Sequence, residues 1–430
     1  MSSDLRIRRD RSVLADGSMF GRRRRGLQPW KIGLWLVAMG FMGLIVWQFN
    51  NIQPRVLAMI GTSATATPPA IWYAQTAERA FWRGDLDTAI KNYREAAKQN
   101  PANVDILYEL ARMLIYHSYS DRRVEAGDIA EAVQWASKAL EASPNNYRAL
   151  TISCFAQLSA GKYEDAVRLC LRATDLNPND ADAHANLSAA YAMLNRMDAA
   201  LDEGKKAVDA NDKSIDAHRQ YAYALWYKGL FDAAMEEFKK AVEINPRLEF
   251  PYFELAYFAV SRNKYEVAIT AYNRVLSMNS RSVKAYTRLC ETYYRMGETD
   301  RARDNCQTAV TLDNDYTAAH KWLGQLLYTR RDYEDAITEF EICAKQEQEQ
   351  NIPPDNRLVE CYYLRGLAFF LLDKCDEAYP IFTDLLSWTH DKNAIEKTNI
   401  GINKCATAYQ GLYKTPTPIP TPTPRPEPIQ

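Results

Sequence analysis

The chain has 430 residues, of which 47% are hydrophobic and 25% charged, with a formal net charge of −1. That is enough apolar material for a folded core, and enough length for two or three ordinary domains or one extended array. The charge is uneven: the first 31 residues hold nine Arg/Lys against three Asp, and the other 399 hold 44 basic and 51 acidic side chains. A body with that acidic excess lacks the basic face of a nucleic-acid binder, so no nucleic-acid partner is expected.

Residues 1–31 form a basic segment containing Arg22 to Arg25 and Lys31. It leads into an apolar run, IGLWLVAMGFMGLIVWQF, from Ile32 to Phe49. Eighteen helical residues rise about 27 Å, close to a bilayer core of about 30 Å. Trp30 and Trp47 fall at its ends, where amphipathic rings prefer the interface. This predicts an uncleaved transmembrane helix over 32–49. A buried core helix and a cleaved signal peptide are the alternatives, but the run is apolar on every face, and the A-x-A-like site at Ala64 to Ala66 lies too far downstream for usual processing. Positive flanks stay inside, so the N-terminus is expected in the cytoplasm and the rest on the exported side, periplasmic or extracellular. Beside a span, the arginine run reads as a topology signal and an anionic-lipid contact. Residues 50–69, including TSATATPP, have the composition of a flexible linker.

From Ala70 a pattern recurs every 34 residues, and such periods define repeat architectures. AGKYEDAVRLCLRATDLNP (160–178) aligns with YKGLFDAAMEEFKKAVEINP (227–246) and with WRGDLDTAIKNYREAAKQNP (82–101). Each has a Gly or Asn turn, a small residue, an aromatic or Cys four later, a second small residue, and then Pro. Small residues let two helices approach closely, the three-and-four spacing supplies a buried stripe, and the proline stops the second helix.

These units resemble tetratricopeptide repeats. Nine begin near Ala70, Val104, Tyr147, Ala181, Ile215, Glu249, Val283, Thr317 and Val359. The family's small residue on the first helix matches Ala77, Ala111, Cys154, Ser188, Ala222, Ala256, Cys290, Gly324 and Gly366. Its alanine on the second helix matches Ala89, Ala132, Ala166, Ala200, Ala234, Ala268, Ala302, Ala336 and Ala378. The terminal proline is present as Pro101, Pro144, Pro178 and Pro246, while later units carry Asp212, Ser280 and Asn314. The resemblance implies an all-α fold: a right-handed superhelical solenoid over 70–412, built from helix-turn-helix units. Insertions extend repeat two around 117–128 and separate repeats eight and nine at 346–356. Residues 393–410 would form a capping helix, as a solenoid end requires. The Thr/Pro-rich tail 413–430 favours polyproline II and reads as a solvated, disordered spacer, with a recognition ligand or a sugar acceptor as alternatives.

No H-E-x-x-H, G-x-S-x-G or phosphate-loop motif occurs. No C-x-x-C occurs either. His184, His218 and His320 share the fourth position of their first helices and read as packing residues. No catalytic residue, metal site or cofactor is therefore expected, and function must come from surfaces.

The resemblance puts the first helices on the inner wall, at their fifth, ninth, twelfth and thirteenth positions. Those carry Arg219, Tyr223, Trp226, Tyr227, Phe253, Tyr257, Tyr294, Arg295, Lys321 and Tyr328 in repeats five to eight, against Ala185, Ala189 and Ala192 in repeat four. An aromatic wall with cations suits an extended peptide; alternatively, some of these rings pack between repeats. The family's best-known mode clamps a peptide's terminal carboxylate. Lys284 and Arg288 match its basic pair and Arg219 stands where lysine is usual, but Tyr223 and Glu254 replace two asparagines, so that clamp is not expected. The expected function is a membrane-anchored scaffold that binds protein or peptide partners on the exported side. The alternatives are an envelope assembly or secretion factor holding clients transiently, and a glycan-binding module or groove enzyme using Glu254 and Glu291.

The register also places Cys154 opposite Cys170, and Cys290 opposite Cys306, each pair across one hairpin. On the exported side bridges persist, so these are candidate disulfides. Cys343 with Cys361 and Cys375 with Cys405 complete the set, the alternative being eight buried thiols.

Overall fold

The computed structural model describes residues 39–40, 68–119 and 122–408, with the side chains of 122–126 excepted. The basic segment, the run expected to span a membrane (apart from residues 39 and 40), nearly all of the linker and the Thr/Pro tail lie outside the described residues. Among the described residues, no helix is long and apolar enough to cross a membrane.

The rest is a series of helical hairpins. Repeat one is α1 (Ala70–Trp82) and α2 (Leu86–Gln99), and repeat two is α3 (Val104–Ser118) and α4 (Arg122–Ala142). Repeat three is α5 (Tyr147–Ser159) and α6 (Tyr163–Leu176), and repeat four α7 (Ala181–Met193) and α8 (Met197–Ala210). Repeat five is α9 (Ile215–Tyr227) and α10 (Phe231–Ile244), and repeat six α11 (Phe250–Ser261) and α12 (Tyr265–Met278). Repeat seven is α13 (Val283–Met296) and α14 (Thr299–Leu312), and repeat eight α15 (Thr317–Arg330) and α16 (Tyr333–Glu349). Repeat nine is α17 (Glu360–Leu371) and α18 (Cys375–Trp388), and α19 (Lys392–Ala408) closes the array. First helices open on the residues where the sequence repeats, one later in repeats six and nine. The first insertion is largely helix and the second only in part: α4 has 21 residues, and α16 has 17 and ends at Glu349, before a loop and a short 3-10 turn at Pro354–Asn356.

Local chemistry sets these boundaries. Asn103, Asn146, Asp180, Ser214 and Ser282 cap first helices by accepting from backbone N–H groups two or three residues on. The turn inside the hairpin needs a left-handed residue. Gly84, Gly161, Gly229 and Gly297 supply it, and Asn195, Asn263, Arg331 and Asp373 adopt it in the remaining repeats that have this turn.

The nine second-helix alanines are all fully buried. Opposite each first-helix small residue lies a partner that fills its space. Ala77 faces Tyr93, Ala222 faces Phe238 and Ala256 faces Tyr272, and all six are buried. Gly324 and Gly366 leave room for the rings of Phe340 and Phe382, which an added Cβ would meet at 2.8 and 2.3 Å. In repeat four a Cβ on Gly204 would meet Tyr221 of the next repeat at 2.9 Å. Each hairpin thus conserves volume rather than residue type.

First helices of neighbouring repeats also pack directly on one another, α3 on α5, α5 on α7, α7 on α9, α13 on α15 and α15 on α17. The side on which helices crowd is the inner side of the curve, so first helices line it.

The array also folds back on itself. The Asn245 side-chain amide donates to the Phe81 carbonyl at 3.1 Å, across 164 residues. A Cβ on Gly84 would lie 2.0 Å from the Arg247 carbonyl oxygen, so the turn of repeat one abuts the junction of repeats five and six. Phe250 packs at a tilt against Tyr116 and Tyr119, with centroids 4.9 and 5.4 Å apart. Ile215, Leu248 and Phe250 join the core of repeats one to three.

Candidate functional site

The fold-back fills one part of the inner wall. Tyr116 donates its hydroxyl to Asp216 at 2.5 Å. Burial raises both groups, partly offset at Asp216 by Arg219. Arg219 is only 2% exposed. Its guanidinium donates to Asp216 at 2.6 Å and forks onto Glu254 at 2.6 and 2.5 Å. Its flat face lies 5.1 Å from the Tyr119 ring centroid and 4.6 Å from that of Phe250. Tyr223 donates to Glu254 at 2.9 Å and packs edge-on against Phe238 and Phe258. Lys284 donates to the Tyr119 carbonyl at 2.6 Å and lies over Phe253, which is itself buried.

Arg219, Tyr223, Phe253 and Lys284 therefore work inside the protein. The expectation that they face a partner meets this correction: the fold-back supplies Tyr119 to Arg219 and Lys284, while Tyr223 and Phe253 take their contacts from repeats five to seven. Glu254, the carboxylate at odds with a terminal-carboxylate clamp, is the one that neutralises Arg219. Trp226 is half-buried, held against Phe231 and Phe258 at 4.7 and 4.5 Å.

The wall opens beyond this point. Tyr227 is 53% exposed and Tyr257 59% exposed. A cleft of about 120 Å³ lies beside Tyr257, lined also by Ser261, Tyr272, Arg288, Glu291 and Arg295. Arg288 and Arg295 both pair with Glu291, at 2.7 and 2.9 Å. Tyr294 bonds Thr329 of the next repeat at 2.9 Å and packs on Trp322. Tyr328 is half-buried against Tyr333. Lys321 is only 8% exposed, with its ammonium 3.7 Å from the Trp322 ring centroid. Burial pushes its pKa down, and the nearby Arg288 and Arg295 push the same way, against Glu360 and Glu291. A larger cleft of about 440 Å³, beside Gln157 and Arg172, lies away from this wall, and there Arg168 pairs with Asp165.

The three histidines are buried. In His184, His218 and His320 alike, Nδ1 meets a glutamate nineteen residues on (Glu203, Glu237, Glu339) at 2.5 to 2.6 Å. Nε2 meets a backbone carbonyl six residues back (Pro178, Asp212, Asn314) at 2.8 to 2.9 Å. Each ties its hairpin to the end of the preceding one. Among the described residues no cluster of His, Cys, Asp and Glu is disposed to hold a metal. The cysteines meet as the register places them. Cα separations are 5.4 Å for Cys154 and Cys170, 5.2 Å for Cys290 and Cys306, 6.1 Å for Cys343 and Cys361, and 5.6 Å for Cys375 and Cys405. All four are disulfide distances.

Sequence reasoning missed Tyr116, Tyr119, Asp216 and Phe250. The only signal was the insertion that begins at residue 117, which marks the end of α3 as unlike the other first helices.

Family models of the tetratricopeptide repeat match residues 80–114, 123–191, 216–248, 253–316 and 288–346. The chain is a tetratricopeptide-repeat protein. Among solved structures, this repeat protein resembles the anaphase-promoting-complex hetero-tetramer Cut9–Hcn1, with a TM-score of 0.52 and 14% identity. That match covers 74% of this chain and 59% of the other, so the chain spans less than two thirds of that relative. It also aligns with a thermophilic tetratricopeptide-repeat protein of Thermus thermophilus (20% identity, 44% of this chain and 99% of that one, TM-score 0.36). A repeat protein of Parabacteroides merdae aligns at 18% identity, over 60% of this chain and 98% of that one, with TM-score 0.37. Only the first of these carries an argument, and it concerns the fold alone. No curated protein matches the sequence.

Proposed function

We propose that the protein is a membrane-anchored scaffold whose repeats, on the exported side, bind protein or peptide partners through the wall of repeats five to eight. The observation that carries the binding reading is the change of character along the inner wall. Where repeats one and two fold back, Arg219 and Lys284 have internal partners. Beyond it, Tyr227 and Tyr257 stand more than half exposed on neighbouring first helices, with Arg295 exposed beside Glu291. Exposed tyrosines with an adjacent guanidinium offer large contact area at low entropic cost. The anchor and orientation rest on the run Ile32–Phe49 and its basic flank. That all eight cysteines fall into pairs supports an oxidising compartment for the repeats.

The test is capture from solubilised membranes by a tagged full-length chain, with a Tyr257→Ala, Arg295→Ala variant beside it. A defined partner set that the variant loses, with unchanged thermal unfolding, fits the scaffold. An identical partner set from both proteins places binding elsewhere. Protease added to spheroplasts, with any outer barrier removed, checks orientation: it digests the repeats if they are exported and spares them if they are cytoplasmic.

A further inference from the structure

Lys321 is an unusual side chain for its position. It sits at the fifth position of α15, in the middle of the inner wall, and is more than nine-tenths buried. Its ammonium touches the face of Trp322 but makes no ion pair or hydrogen bond with the described residues. The charged groups around it come from both neighbouring repeats. Arg288 and Arg295 approach from α13, with Glu291 between them, and Glu360 approaches from the start of α17. Glu291 is already committed to the two arginines. Three cations thus share one consumed carboxylate and one glutamate that is not within ion-pair reach of Lys321.

The stem of Lys321 is covered, but its ammonium reaches solvent at the wall and is open to an anion. Elsewhere on the wall the buried Arg219 already has two carboxylates. Lys321 lies on the open part of the wall, where Arg295, which lines the Tyr257 cleft, also approaches the Trp322 ring. Trp322 and Tyr294 give the ammonium a low-dielectric surround, in which an incoming anion is held more strongly than in water.

We infer that the wall of repeats seven and eight selects partner segments bearing an acidic side chain, with Lys321 receiving the carboxylate and Arg288 and Arg295 supplying the surrounding positive field. This rests on the proposed binding wall and narrows its partner class to acidic peptides. It also differs from a clamp for a chain terminus: of that clamp's positions, Arg219, Tyr223, Glu254 and Lys284 are engaged within the protein, and only Arg288 is shared. The exposed Tyr227 and Tyr257 would lie along the peptide on one side of the acidic residue, towards repeats five and six.

The experiment is a positional-scanning library of fluorescent decapeptides, with free and amidated ends, read by anisotropy against the purified full-length chain. The wild type is expected to prefer Asp or Glu at one position regardless of the end group. Lys321→Met is expected to remove that preference and weaken the best acidic peptide about tenfold, a single charge-assisted bond. The same substitution keeps the covered stem, so it should leave the unfolding temperature unchanged. Arg295→Gln, at an exposed site, should weaken acidic peptides without changing stability. Retained peptides with no acidic preference, or an acidic preference that survives Lys321→Met, overturn the inference while leaving the binding wall in place. If no peptide is retained, the wall does not take extended peptides, and the inference falls together with the reading it rests on.

Discussion

The ring of Phe382 occupies the space a side chain would need at Gly366, since a Cβ there would meet it at 2.3 Å. The ring cannot retreat. It is fully buried, and a Cβ on Gly401 of α19 would meet its other edge at 2.4 Å. Replacing a helical glycine by alanine ordinarily gains up to about 1 kcal/mol, but overpacking costs about 1–3 kcal/mol. Gly366→Ala should therefore destabilise the C-terminal end of the array. Denaturant unfolding of this variant beside Phe382→Leu, Gly366→Ala checks it: the smaller side chain at 382 should recover part of the loss.

That relationship shows what sequence could and could not convey. The small-residue positions, the left-handed turns and the proline stops are local, so hairpins and register were readable. In most hairpins the partner of the small residue lies sixteen positions on, which is why Cys154 with Cys170 and Cys290 with Cys306 were readable too. The fold-back was not. It joins Tyr116 to Asp216 and Lys284 to Tyr119 across 100 and 165 residues, and no repeat pattern encodes contacts between distant turns. Arg219 read as a groove cation because its register is that of the wall. What buries it comes from another part of the chain.

Two glycines separate backbone strain from docking. Gly84 and Gly229 have nearly the same left-handed φ, 80° and 83°. Only Gly84 has a neighbour, the Arg247 carbonyl, while a Cβ on Gly229 would meet nothing within 4 Å. Both alanine variants carry the left-handed penalty of about 1–2 kcal/mol. Gly84→Ala should lose more, and limited proteolysis should show repeats one and two opening first. Equal losses would mean that the N-terminal repeats are not held there.

The cysteine pairs predict a redox-dependent stability. With Cys290 and Cys306 bridged over a loop of sixteen residues, removing the bridge by a double serine substitution should cost about 3 kcal/mol. The native protein should show no titratable thiol until denatured and reduced, by Ellman reaction. Eight reactive thiols on unfolding without reductant would put the repeats in a reducing compartment.

The histidines predict a pH dependence of defined sign. Carboxylates and carbonyls only accept, so both ring nitrogens of His184 and of His320 must donate, which favours the imidazolium. The Glu203 hydrogen bond raises His184 against the opposing effect of burial, aided by the Pro178 carbonyl. At His320 burial pulls down and is outweighed by Glu339 and the Asn314 carbonyl. A folded value above the unfolded one, about 6.5, gives a stabilisation that is full below that pH. It is lost as pH rises through the folded value. The melting temperature should fall as pH rises above about 6.5, and a His184→Gln, His320→Gln variant should flatten that fall.

The division of the inner wall into a filled part and an open part is most directly tested by site-specific photo-crosslinking in native membranes. A benzoylphenylalanine at Tyr257, on the open wall, is compared with one at Leu176, equally exposed at the end of a second helix. Partner adducts from position 257 and none from 176 are the predicted result. Adducts from 176 with none from 257 would contradict it.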